Sequence, residues 1–159
     1  MADSPAQLAK VFKAANTVIR PLLRSPLHGL VSGRLMLLDY TGGTTGRRYC
    51  FPVGYFGWDA GGVLAFSTQR WPAHIAAARA VRVLIRGRWY DALPTVISGQ
   101  EDKAALLTEF ARRKGARAAK GLMLGLPGDR QPAREETLAA AAKTTISRFT
   151  LNSRDTARA

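Results

Sequence analysis

Residues 35–56 constrain this chain most. Leu35-Met36-Leu37-Leu38 and Phe51-Pro52-Val53-Gly54-Tyr55-Phe56 are apolar runs on either side of Thr41-Gly42-Gly43-Thr44-Thr45-Gly46-Arg47-Arg48. Each run has strand length and is bounded by turn formers, so the stretch reads as two strands and a tight connection. Glycine in the connection permits positive φ and lets backbone N–H groups face a ligand. Arg47 and Arg48 follow on the rising strand. Such a turn suits a phosphate or carboxylate; the other reading is an ordinary hairpin whose arginines are solvated. Along the second strand Tyr49, Phe51, Val53 and Tyr55 share one face, and Arg48, Cys50, Pro52, Gly54 and Phe56 the other. Pro52 and Gly54 leave their face bare. A flat ring could lie there, and a β-bulge would use the same residues.

The rest of the chain follows in short elements. Residues 4–23 read as a helix with Ser4 as N-cap, Pro5 at its first position and an apolar stripe through Leu8, Val11, Phe12, Ala15, Ile19 and Leu22. Strands are expected at 35–40, 47–56, 63–67, 81–86, 89–98 and 144–151, with a loop at 58–62. Pro94 demotes the 89–98 strand to an edge or bulged position. Helices are expected at 71–79, 100–115, 116–126 and 135–143. Glu101 and Asp102 in the first turn of the 100–115 helix, and Arg112, Arg113 and Lys114 in its last, match the helix dipole. This order predicts a mostly antiparallel β protein with helices (α+β), closed as a small barrel. The expected organisation is an N-terminal helical segment at 1–34 packed on a barrel domain at 35–151, a helical insertion at 100–142, and a basic tail at 152–159.

At 159 residues the chain suits one domain with a real core. Its single cysteine, Cys50, excludes an internal disulfide and fits a reducing, cytoplasmic compartment. No secretory signal or membrane-spanning run is read from the sequence. With two histidines and few acids, no metal site is expected. Twenty-four Lys+Arg against eleven Asp+Glu give a net charge of +13, which attracts anions. No nucleic-acid-binding motif accompanies that charge, so nucleic acid is not expected as a partner. The cationic face of the first helix suits an anionic membrane, with residues 4–24 making peripheral contact; the other reading is a helix that covers the core.

The run Tyr40-Thr41-Gly42-Gly43-Thr44-Thr45-Gly46-Arg47 with Phe51-Pro52-Val53-Gly54-Tyr55 resembles the signature turn and strand of the deazaflavin (F420)-dependent nitroreductase and quinone reductase family. Gly61-Gly62-Val63-Leu64, Phe66-Ser67, Arg70-Trp71, Val81-Arg82-Val83 and Gly87-Arg88 match further motifs in the same order. The resemblance covers roughly residues 17–100 and implies a flavin-reductase-like split β-barrel. It also implies hydride transfer from reduced coenzyme F420 to a quinone, nitro compound or activated alkene, with FMN the lesser candidate. On that basis the cofactor residues would be Thr45, Gly46, Arg47, Arg48, Pro52, Val53, Gly54, Tyr55, Ser67, Thr68, Arg70, Trp71 and Arg79. Tyr55, Trp71 and His74 are candidates to orient a small-molecule substrate, and the chain would be a monomer or homodimer. The sequence departs from the family pattern at Gly43-Thr44, where two basic residues are common, and at Pro72-Ala73-His74-Ile75, after the leading Trp. The alternative is a split barrel that binds deazaflavin, flavin, haem or lipid without turnover.

Overall fold

The computed structural model describes residues 35–78 and 80–152. The helix expected at 4–23 and its membrane contact lie outside the described residues, as does Arg79. The elements are β1 (Leu35–Thr41), β2 (Arg48–Gly54), β3 (Phe56–Asp59), β4 (Gly62–Ser67), α1 (Trp71–Ile75), β5 (Val81–Ile85), β6 (Arg88–Ile97), α2 (Gln100–Lys114), α3 (Ala116–Lys120), α4 (Arg134–Ala141) and β7 (Thr145–Asn152). All seven strands join one sheet in the order β2-β1-β5-β6-β7-β4-β3, and each neighbouring pair is antiparallel. The sheet curls until β2 comes against β4, two strands with no hydrogen-bonded ladder between them. The result is the split β-barrel expected from the sequence.

Alternation along the strands sorts the core. Met36, Leu38 and Tyr40 of β1 face the barrel interior with Val53, Val63, Ala65, Val81, Val83 and Phe149, and α1 closes one end with Trp71 and Ile75. The opposite face of β4 and β7 carries Leu64 and Ile146, which pack under α2, α3 and α4. Phe110 of α2 centres that layer, with its ring 4.9 Å from Phe56, 5.1 Å from Phe66 and 6.3 Å from Trp58. Leu37 and Leu84 are buried on the outward face of β1 and β5, beside Cys50 and Trp89. β1 is therefore buried on both faces, which explains its unbroken apolar run.

The expected 47–56 strand is in fact two. It ends at Gly54, and Phe56–Asp59 turns away as β3 to pair with β4, so the predicted loop at 58–62 begins inside a strand. The aromatic side chains of β3 follow Phe110, which no local pattern reveals. α1 ends at Ile75 rather than near residue 79, and α3 stops at Lys120 rather than near 126. Pro94 does not put β6 at the edge of the sheet. β6 pairs with β5 only over Arg88–Asp91 and with β7 over Asp91–Ile97, so Pro94 has a neighbour on one side only. The tolerance of an edge strand for proline thus applies to half of a central strand.

Candidate functional site

The seam where the barrel is split opens into a cavity of about 700 Å³. Tyr49, Phe51, Pro52, Val53 and Gly54 of β2 line one side, and Phe66 through Trp71, at the end of β4 and the start of α1, line the other. β2 is the terminal strand of the sheet, and the pairing of β4 with β3 runs only from Gly62 to Leu64. Among the described residues, backbone edges without strand partners therefore face each other across the cavity, ready to bond a polar ligand. Pro52 stands where an edge strand tolerates it. At one end the cavity adjoins a chamber of about 350 Å³ formed by Gly42, Gly43, Thr44, Thr45, Ala73 and Ala77. Tyr40, Tyr49 and His74 line both spaces.

Local bonds hold the turn that walls the second chamber. Gly42 N–H donates to the Arg47 carbonyl at 2.8 Å, Gly46 N–H to the Gly42 carbonyl at 3.0 Å, and Thr41 N–H to the Ala80 carbonyl at 3.2 Å. Gly46 adopts φ 65°, which glycine enters without strain. Gly43 is required for another reason. A Cβ on it would lie 2.1 Å from the Ala77 carbonyl oxygen, because the turn rests directly on the segment that follows α1. Packing against Ala77 therefore leaves no room for a side chain at this position.

The tyrosines stack, with Tyr40 and Tyr49 ring centroids 5.2 Å apart, and Phe51 meets Trp71 edge-on at 6.0 Å. Burial, then the neighbouring Tyr49, raises the Tyr40 hydroxyl above its ordinary pKa, so it stays a proton donor at neutral pH. Arg70 and His74 are the basic side chains among the described residues of the cavity wall, and no carboxylate joins them. The lining is thus aromatic and apolar with a cationic end, a match for a flat ring that carries an anionic substituent.

Eight of the residues singled out from the sequence meet at the main cavity: Pro52, Val53, Gly54, Ser67, Thr68, Arg70, Trp71 and His74. Thr45 lines the adjoining chamber. Arg47 is exposed beside the turn, its guanidinium 5.8 Å from the Tyr49 ring centroid. Gly46 shapes the turn without lining either space. Arg48 is committed elsewhere. It faces outward and grips Asp39 with Nε to Oδ1 at 2.8 Å and Nη2 to Oδ2 at 2.6 Å, while Arg82 bonds the same carboxylate at 2.7 Å. Tyr55 also lies off the cavity wall. It points into the barrel, where burial pushes its hydroxyl pKa up and Arg86 opposes the shift. Phe66, quoted only as part of a matching motif, and Gln69, not singled out, also belong to the wall. For Gln69 the position next to Thr68 was the only signal. Among the described residues no cluster of three or more His, Cys, Asp or Glu side chains forms, and no helix is long and apolar enough to cross a membrane.

No protein-family model matches the sequence, and no curated protein matches it. Solved structures are similar at low identity. HutZ, the haem storage protein from Vibrio cholerae, is 11% identical over 82% of this chain and 92% of its own, with a TM-score of 0.48. A pyridoxamine 5'-phosphate oxidase-related, FMN-binding protein from Nostoc punctiforme is 15% identical over 94% of this chain and 82% of its own, at 0.46. An F420 reductase is 16% identical over 84% of this chain and 93% of its own, at 0.43.

Proposed function

We propose that the chain binds coenzyme F420 in the seam between β2 and β4 and uses it to reduce a quinone, nitro compound or activated alkene. The carrying observation is the cavity itself. Eight residues that the family resemblance assigns to cofactor or substrate line it, and its wall combines open strand edges, aromatic faces and Arg70. The residues fit the group. The strand Pro52-Val53-Gly54 offers a surface with little side chain for a flat ring, and the chamber at Gly42–Thr45 offers a turn for an anion. When bound, the reduced deazaflavin supplies the hydride. The protein's part is to orient and to exclude water. Arg70 would hold negative charge, Trp71 and Phe51 would wall the substrate space, and Tyr40 or His74 would donate a proton to the reduced oxygen or carbon.

A second reading, binding of deazaflavin, flavin, haem or lipid without turnover, draws on the same turn. Gly43 leaves no room for a basic side chain and Arg48 is bound to Asp39, so among the described candidates Arg47 and Arg70 remain to grip an anionic tail. Titration with oxidised F420 and with FMN, followed by fluorescence, separates the readings, and turnover of reduced F420 with a quinone completes the test. Saturable F420 binding with quinone-dependent oxidation is expected. Arg70→Ala should weaken binding about 10- to 100-fold, the weight of one charge-assisted contact. F420 binding without turnover would leave the second reading, and failure to bind F420 would overturn the first.

A further inference from the structure

Met123 is 90% exposed and has φ 59°. Glycine occupies that left-handed region freely, and an unbranched apolar residue does not. Met123 thus stands in water, in a conformation that disfavours it. The loop around it is anchored, because Leu124 and Leu126 are buried in the helical layer. The tip is therefore displayed on a fixed support.

Its surroundings are cationic. Gly121 N–H donates to the Arg117 carbonyl at 3.1 Å, Leu122 N–H to Ala119 at 3.2 Å and Met123 N–H to Lys120 at 3.0 Å, so turns continue past the end of α3. Arg117 and Lys120 of α3 stand six and three residues before Met123 along these turns. Lys143 reaches the same loop, its Nζ 3.5 Å from where a Gly125 Cβ would stand. Among the described residues no carboxylate pairs with Arg117, Lys120 or Lys143. Lys120 lies against the same loop, its Cδ 2.5 Å from where a Gly128 Cβ would stand.

We propose that this loop is a contact site for an anionic membrane surface. Met123 enters the headgroup boundary, and Arg117, Lys120 and Lys143 lie against lipid phosphate and carboxylate groups. An exposed apolar tip on a loop that Lys120 and Lys143 lie against matches a boundary that is anionic outside and apolar beneath. Nucleic acid would use the cations but gain nothing from the thioether, and the loop from 117 to 125 has no aromatic side chain on which a base could stack. The net charge of +13 favours approach to such a surface from any orientation.

The test is co-sedimentation of the full chain with phosphatidylcholine vesicles, with and without phosphatidylserine. Binding should require phosphatidylserine and weaken with salt. Arg117→Ala with Lys120→Ala should lower partitioning about 25-fold, from roughly five-fold for each cation at the surface. Met123→Gly should lower it about ten-fold while the protein resists urea at least as well as the wild type, since the backbone strain is gone. No binding to phosphatidylserine vesicles would overturn the proposal. So would unchanged partitioning by Met123→Gly, because attraction would then rest on charge alone, away from this loop.

Discussion

Gly43→Ala tests whether the turn and α1 act as one support for the cavity. The added Cβ would sit 2.1 Å from the Ala77 carbonyl oxygen and 3.2 Å from its carbon. Ordinary carbon–oxygen contact lies near roughly 3.3 Å, so the two segments must part by about 1 Å. No side chain can swing aside, because the obstacle is backbone. The turn itself is fixed by its bonds to Arg47 and Ala80. Overpacking of this kind costs about 1–3 kcal/mol, or a fall of roughly 2–12 °C in Tm for a chain of this length. The same displacement moves Ala73 and His74 relative to Thr45, and a shift near 1 Å in a binding geometry can cost about a hundred-fold. Gly57→Ala is the control, because an added Cβ there meets nothing within 4 Å. Urea melts and F420 titrations of both variants provide the assay. Gly43→Ala should lose stability and affinity together, whereas Gly57→Ala should stay within about 0.5 kcal/mol of the wild type. A Gly43→Ala protein with wild-type stability and wild-type affinity would refute the coupling of turn and helix.

Acid should weaken the fold through Asp39. The Arg48 guanidinium, and behind it Arg82, hold its carboxyl below the usual carboxylate range despite burial, so its contribution is complete above about pH 4 and lost as pH falls through the lowered value. Unfolding free energies from pH 6 downward should fall more steeply for the wild type than for Asp39→Asn, and parallel profiles would contradict the assignment. Glu109 and Glu136, each pulled down to about 2 by arginine partners, act in the same direction at the surface. Ser147 is fully buried in β7, and its Oγ has no hydrogen-bond partner among the described residues, so Ser147→Ala should raise stability by about 1 kcal/mol in the same urea assay. A loss would show that a buried water satisfies the hydroxyl.

Much of the barrel was legible because its strands alternate. The Val81, Val83, Ile85 face and the run at 35–40 sit where their patterns put them. β3 was not legible, since the alternation of Phe56 and Trp58 with Gly57 and Asp59 spans only four residues and its rings follow a helix more than forty residues away. The site divides similarly. Local order in sequence carried Pro52 to Gly54 and Ser67 to Trp71, because strand and connection each deliver consecutive residues to one wall. The fate of Arg48 depended on Asp39 of the neighbouring strand, and that of Tyr55 on the apolar core it joins. Charge in a sequence declares attraction; only the fold declares to whom.

The position of β7 has a consequence for how the molecule is made. β7 is the last strand in the sequence, yet it lies between β6 and β4 and joins β2-β1-β5-β6 to β4-β3. Ser67 pairs with Thr145 and Gly62 with Thr150, so those ladders close loops of some eighty residues. Such distant pairings form slowly. During synthesis two half-sheets must wait with open edges until β7 leaves the ribosome, and open edges invite other chains. The seam between β2 and β4 takes its final width only when that strand is inserted. Ligand binding on the ribosome therefore has to follow emergence of β7, and a nascent chain stalled before residue 145 should aggregate rather than bind.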